Sequence, residues 1–160
     1  MPNNIIIDGA VTADQWHVVS SEATQIPAGA VIVPVTYWLE NKAELSQRDS
    51  IGIWLNSDES PELIADDLEK FAVIAINFPA FADGRGFSYA RELRDTHQYK
   101  GELRAVGEFI RDQLFYLKRC GFNAFALENT NIEDALTSLE DFSENYQADT
   151  IESKPLFQRR

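Results

Sequence analysis

Five short apolar runs, rich in β-branched residues, constrain this chain more than any other feature: residues 31–35, 51–55, 73–78, 103–106 and 124–127. Each run is continuous rather than alternating, so each calls for apolar cover on both faces, as strands in parallel sheets do. Helical patterns fill the intervals. Ser60-Pro61 reads as an N-cap with proline at the first helical position, leading into Leu63, Ile64 and Leu68. Phe109, Ile110, Leu114 and Leu117 form a stripe at helical spacing, with Glu108 at its head, Lys118-Arg119 in its last turn and Gly121 beyond. Strand and helix in alternation predict βα units with right-handed crossovers. The expected fold is α/β, a mostly parallel sheet of about five strands, open or partial-barrel-like. Five units are too few for one chain to close an eight-stranded barrel.

A chain of 160 residues, 44% hydrophobic, suits a single domain over 1–160 with a core of its own. Residues 1–29 form a short β lead-in: Ile5-Ile6-Ile7 and Trp16-His17-Val18-Val19 read as two strands around an Asp8-Gly9 turn, and Pro27-Ala28-Gly29 is a break. Residues 30–146 make the βα core, whose last helix opens on the capping box Thr130-x-x-Glu133. The tail 147–160, ending KPLFQRR, is expected to pack loosely.

Charge and composition narrow the function classes. A net charge of -12 and a pI near 4.5 disfavour nucleic acid and anionic membrane surfaces as partners. No apolar run approaches the roughly 20 residues that span a bilayer. The start MPNNIIIDGA lacks the basic n-region and the apolar length of a secretory signal. One cysteine, Cys120, cannot form an internal disulfide or hold an iron–sulfur cluster, and with only His17 and His97 beside it no metal site is expected. These features fit a reducing cytoplasm.

The strand starts at 31, 51, 73, 103 and 124 leave the interval after residue 73 the longest. That interval holds FADGRGFS, Phe81 to Ser88, at the carboxyl end of a predicted strand, where parallel α/β folds build ligand sites. Gly84 and Gly86 permit positive φ and close backbone approach, so that amides can surround an anion. Ser88 can cap a helix over Tyr89–Asp95. Arg85 offers a forked, permanent cation for sulfate, sulfite, phosphate or carboxylate, and Asp83 can orient it or close an Asx-turn. A plain tight loop with Arg85 in solvent is the competing reading, because Gly-rich turns are common and this one is neither GxGxxG nor a Walker loop.

Arg104 stands inside a predicted strand, where a buried guanidinium must find a partner or a wet cavity. Arg111 and Asp112 follow near the next helix start. Arg85, Arg104 and Arg111 are therefore expected to converge at one sheet edge with Asp83 or Asp112 as counter-charge; a structural Arg104–Asp112 ion pair is the alternative. Residues 85–119 carry eight basic and five acidic side chains, a balance of +3 against -15 elsewhere, which suits an anionic ligand or an acidic partner. His97 reads as a surface residue, His17 as strand packing, Cys120 as a buried structural thiol. No nicotinamide, flavin, iron–sulfur or metal motif is evident, so no cofactor and no catalytic residue is assigned.

FADGRGFSYARELR followed by YKGELRAVGEFIRDQLFYLKRCGFNAFAL resembles the bacterial family known as domain of unknown function 934, most closely over residues 72–127, about a third of the chain. That resemblance implies a place beside assimilatory sulfate and sulfite reduction, since family members are associated with those gene sets and often carry an oxidoreductase label. It implies an accessory protein acting with sulfite reductase or a ferredoxin-like electron donor, and no catalytic residue carries over with it. The alternative is an enzyme or sensor that binds a small oxyanion through Asp83-Gly84-Arg85-Gly86. The motif-like positions are Asp83, Gly84, Arg85, Gly86, Arg94, Gly101, Arg104, Gly107, Asp112 and Gln113.

Overall fold

In the computed structural model, residues 4–20, 25–79, 84–107 and 113–126 are described. The helix expected from Thr130 and the tail 147–160 lie outside them. The strands are β1 (Asn4–Ile7), β2 (Ala10–Ala13), β3 (His17–Val18), β4 (Val31–Pro34), β5 (Ile51–Leu55), β6 (Val73–Phe78), β7 (Glu102–Gly107) and β8 (Ala124–Phe125). The helices are α1 (Val35–Glu40), α2 (Lys42–Leu45), a 3₁₀ helix (Pro61–Lys70), α3 (Arg85–Arg91), which continues as a π-helical turn (Glu92–Thr96), and α4 (Leu114–Cys120).

These strands form one sheet in the order β2-β1-β8-β7-β6-β5-β4-β3. From β3 to β8 every pairing is parallel, and β1 is antiparallel to both β2 and β8. The five apolar runs are β4 to β8, as their composition required. The count is eight because the lead-in divides. Asp8 and Gly9, with φ of 51° and 81°, make a tight turn into β2 rather than into the Trp16–Val19 segment. That segment supplies β3, which joins the opposite edge of the sheet alongside β4.

Only residues 14–16 separate β2 from β3, although the two strands occupy the two sheet edges. Four Cα steps reach about 14 Å, whereas a flat sheet of eight strands would be about 34 Å wide. The sheet is therefore curled into a half-barrel. Its outer face carries the helices: Val33, Ile53, Ile74, Ile76, Leu103 and Ala105 pack with helix residues including Trp38, Ile64, Ala90, Leu93 and Leu117. Its inner face buries Ile5, Ile32, Val73, Ala75, Val106 and Ala126, against which Trp16, Val18 and Trp54 pack.

The helix predicted from Ser60 follows its sequence signals with one variation. Ser60 Oγ accepts from the Glu62 N–H at 3.2 Å and Pro61 opens the helix, which winds as 3₁₀ with Ile64 and Leu68 buried. Between α2 and that helix, Asp67 accepts from Trp38 Nε1 and pairs with Lys42 Nζ at 3.0 Å. Burial pushes the Asp67 carboxyl up, but its hydrogen bonds to Lys42 and Trp38 and the charges of Lys42 and Lys70 prevail and hold it below its usual value.

Candidate functional site

At the carboxyl ends of β5, β6 and β7 a polar cluster closes the mouth of the half-barrel. Trp54, from β5, turns to the inner face, and its Nε1 donates to Asn56 Oδ1 at 2.9 Å. Asn77, on the same face of β6 as Val73 and Ala75, donates from Nδ2 to that same oxygen at 3.1 Å. Its register partner on β7 is Val106, and the next pair is Phe78 with Gly107. Gly107 takes φ of 93°, and a Cβ there would stand 2.4 Å from Asn77 Oδ1, so only glycine leaves the Asn77 amide its place.

The next residue of the β5 loop, Ser57, ties this amide set to α3. Arg85 Nη2 donates to Ser57 Oγ at 3.0 Å, and the Tyr89 hydroxyl donates to the Ser57 carbonyl at 2.6 Å. Ser57 is buried while Arg85 and Asn56 are exposed. A guanidinium and amide N–H groups from two successive βα loops thus meet where α/β barrels hold ligands. Permanent charge and fixed donors suit a small oxyanion.

The DGRG loop differs from expectation in its backbone. Gly84 is at the N-cap position with φ of -88°, and Gly86 is not in the left-handed region either; α3 begins at Arg85, so Ser88 is an exposed residue inside the helix and not its cap. Gly86 serves a different need: a Cβ there would stand 2.5 Å from Phe78 Cζ, so the glycine lets α3 lie directly on β6. Asp83, Arg111 and Asp112 lie outside the described residues.

Arg104 does not join Arg85. Strand alternation puts Arg104 on the inner face with Val106, between Ala75 of β6 and Ala124 of β8, whose small side chains leave room for the guanidinium. It is fully buried. Its Nε donates to Glu102 Oε2 at 2.7 Å and its Nη1 to both Asp14 oxygens at 3.1 Å. Those partners lie toward the amino half of the strands, away from the rim, so the expected convergence is replaced by a separate interior ion cluster. Among its counter-charges are Asp14 and Glu102, which carried no motif signal.

Arg94 is the other motif arginine drawn inward. From the π-helical turn its Nε donates to the Gly121 carbonyl at 2.9 Å and its Nη1 to the Tyr99 and Gly101 carbonyls at 2.8 and 2.9 Å. Burial pulls this guanidinium below its usual value, against the opposing influence of Tyr99 and Asp8. Tyr99 donates to the Phe71 carbonyl at 3.1 Å, and burial pushes its phenol far up. The basic segment is therefore not one surface: Arg94 and Arg104 are committed to the interior, while Arg85, Arg91, Lys100, Lys118 and Arg119 are exposed. His97 is half-buried against Glu92 Oε2 at 3.2 Å, His17 is exposed, and Cys120 is buried. Among the described residues, no group of three His, Cys, Asp or Glu side chains is placed to hold a metal, and no helix is long and apolar enough to cross a membrane.

Sequence reasoning reached Arg85 and missed the amides. Asn56 directly follows one apolar run and Asn77 interrupts another one residue before its end, and a polar residue near a carboxyl strand end is the signal that marks them. The family model described as "bacterial protein of unknown function (DUF934)" matches residues 52–157, which include every rim residue named above. No curated protein and no solved structure matches the chain.

Proposed function

This chain belongs to the bacterial DUF934 family, and we propose that it serves assimilatory sulfite or sulfate reduction as an accessory whose own task is to hold a small oxyanion at the carboxyl rim. One observation carries the binding reading: Arg85, Ser57, Tyr89, Asn56 and Asn77 meet at the mouth of a curled parallel sheet. The accessory role comes from the family resemblance, and the exposed Arg85, Arg91, Lys100, Lys118 and Arg119 support docking to an acidic redox partner, sulfite reductase or its ferredoxin-like donor.

The two halves are tested separately. Titration of the purified chain with sulfite and with sulfate is expected to show saturable binding that Arg85→Ala abolishes while circular dichroism and thermal unfolding stay unchanged. Absence of saturable binding ends the oxyanion reading. Affinity capture from cells grown on sulfate is expected to recover sulfite reductase or its donor. Failure to recover either, with growth on sulfate unaffected by gene deletion, ends the accessory reading.

A further inference from the structure

We infer that the outer face of α3 and α4 is the docking surface for an acidic protein, with Tyr116 as its anchor and Arg91 and Arg119 as its charged contacts. The inference deepens the docking reading given above and rests on it. Of the 160 residues 26 are acidic, yet α3 (Arg85–Arg91) and α4 (Leu114–Cys120) contain none and hold Arg85, Arg91, Lys118 and Arg119. The two helices pack on each other: the Phe87 and Tyr116 rings lie 5.0 Å apart, and Arg91 lies beside Cys120 and Tyr116. Tyr116 and Arg119 are three residues apart on α4, so they are neighbours on its surface, and both are exposed. The Arg119 guanidinium stands over the Phe115 ring at 5.9 Å. Among the described residues, neither Arg91 nor Arg119 has a carboxylate partner.

Tyr116, at 48%, is the most exposed large hydrophobic side chain among the described residues. A tyrosine so placed beside two arginines has the composition of an interface centre, not of a merely solvated helix. It is braced from within. Phe122 packs on Phe78 at 5.8 Å, Phe78 on Phe87 at 5.2 Å, and Phe87 on Tyr116. The ring is thus held before a partner arrives, which lowers the entropy cost of docking. The two guanidiniums are steadied by aromatic rings and a thiol, so a partner's carboxylates meet them without displacing an ion pair. A net charge of -12 repels an acidic partner from the remaining surface and leaves this face as its approach. Four cations on so acidic a chain are too few to favour nucleic acid or an anionic bilayer. Two short helices suit a transient partner rather than a permanent one.

The test is surface plasmon resonance with the full chain immobilised, and purified sulfite reductase or an acidic ferredoxin passed over it at about 0.15 M salt. At least one of the two is expected to bind, more weakly as salt rises. Arg91→Glu, Arg119→Glu and Tyr116→Ala should each weaken that binding by about tenfold or more, with thermal unfolding unchanged. Glu44→Lys, an exposed change on α2 that alters the net charge by the same amount, should leave it within about threefold. If Arg91→Glu does not fold, Arg119→Glu and Tyr116→Ala carry the same expectation. Binding untouched by Arg119→Glu and Tyr116→Ala overturns this face and leaves the docking reading in place. Binding by neither protein removes the docking reading and this inference together. Saturable binding of duplex DNA or phosphatidylglycerol vesicles instead, lost in Arg119→Glu, keeps the face and overturns the acidic protein as its occupant.

Discussion

Arg104 and Arg85 illustrate how far a residue's role depends on which way its backbone faces. Both were legible as arginines in unusual places, one within a strand and one behind a glycine. Their separation was not, because it depends on strand alternation combined with the helical start at Arg85, and the latter cannot be read from a Gly-rich string. The buried Arg104 holds two carboxylates in a space walled by alanines. Arg104→Ala leaves Asp14 and Glu102 without that counter-charge and should cost about 3–5 kcal/mol, measured by urea unfolding. Arg104→Lys should recover only part, because one ammonium cannot reproduce the forked contacts. Tyr99 carries a pH prediction. Its phenol is raised on folding from an ordinary value of 10.0, so its contribution to stability is full below about pH 10 and is lost as pH rises beyond that. Stability should therefore fall on the alkaline side, and Tyr99→Phe should flatten that part of the profile.

At the scale of elements, the described part of the DGRG loop, Gly84 to Gly86, joins a packing device to one rim arginine. Gly84 has ordinary φ, and a Cβ added there would meet nothing within 4 Å, whereas one at Gly86 would stand 2.5 Å from the Phe78 ring. Gly86→Ala is accordingly expected to destabilise by about 1–3 kcal/mol through displacement of α3, and Gly84→Ala by less than about 1 kcal/mol, in parallel denaturation curves. If α3 shifts, Arg85 and Tyr89 leave Ser57, so Gly86→Ala should also weaken any rim ligand. The sequence pattern announced the strands beneath this helix because continuous apolar runs have few other uses. It was silent on Asn56 and Asn77, single polar residues whose meaning appears only when two strand ends are set side by side.

For the whole molecule, the parallel core β4–β8 followed from composition, and the edges did not. The Trp16–Val19 segment was legible as a strand, but β2, four exposed residues over Ala10–Ala13, has no apolar pattern to announce it, and the partners of β1, β2 and β3 are chosen by the curl of the sheet. Native-state hydrogen exchange should reflect this division. Amides of β5, β6 and β7, paired on both sides, are expected to exchange slowest, and those of β2, exposed at every residue and paired on one side, fastest. Comparable protection across all eight strands would contradict this strand order.

The position of β1 has a consequence for synthesis. Its hairpin with β2 leaves the ribosome more than a hundred residues ahead of its remaining neighbour, β8. Until Ala124 and Phe125 clear the exit tunnel, the nascent protein carries Ile5 to Ile7 with one flank open, a sticky ribbon that a chaperone must shield or that must wait in solution for the chain to catch up.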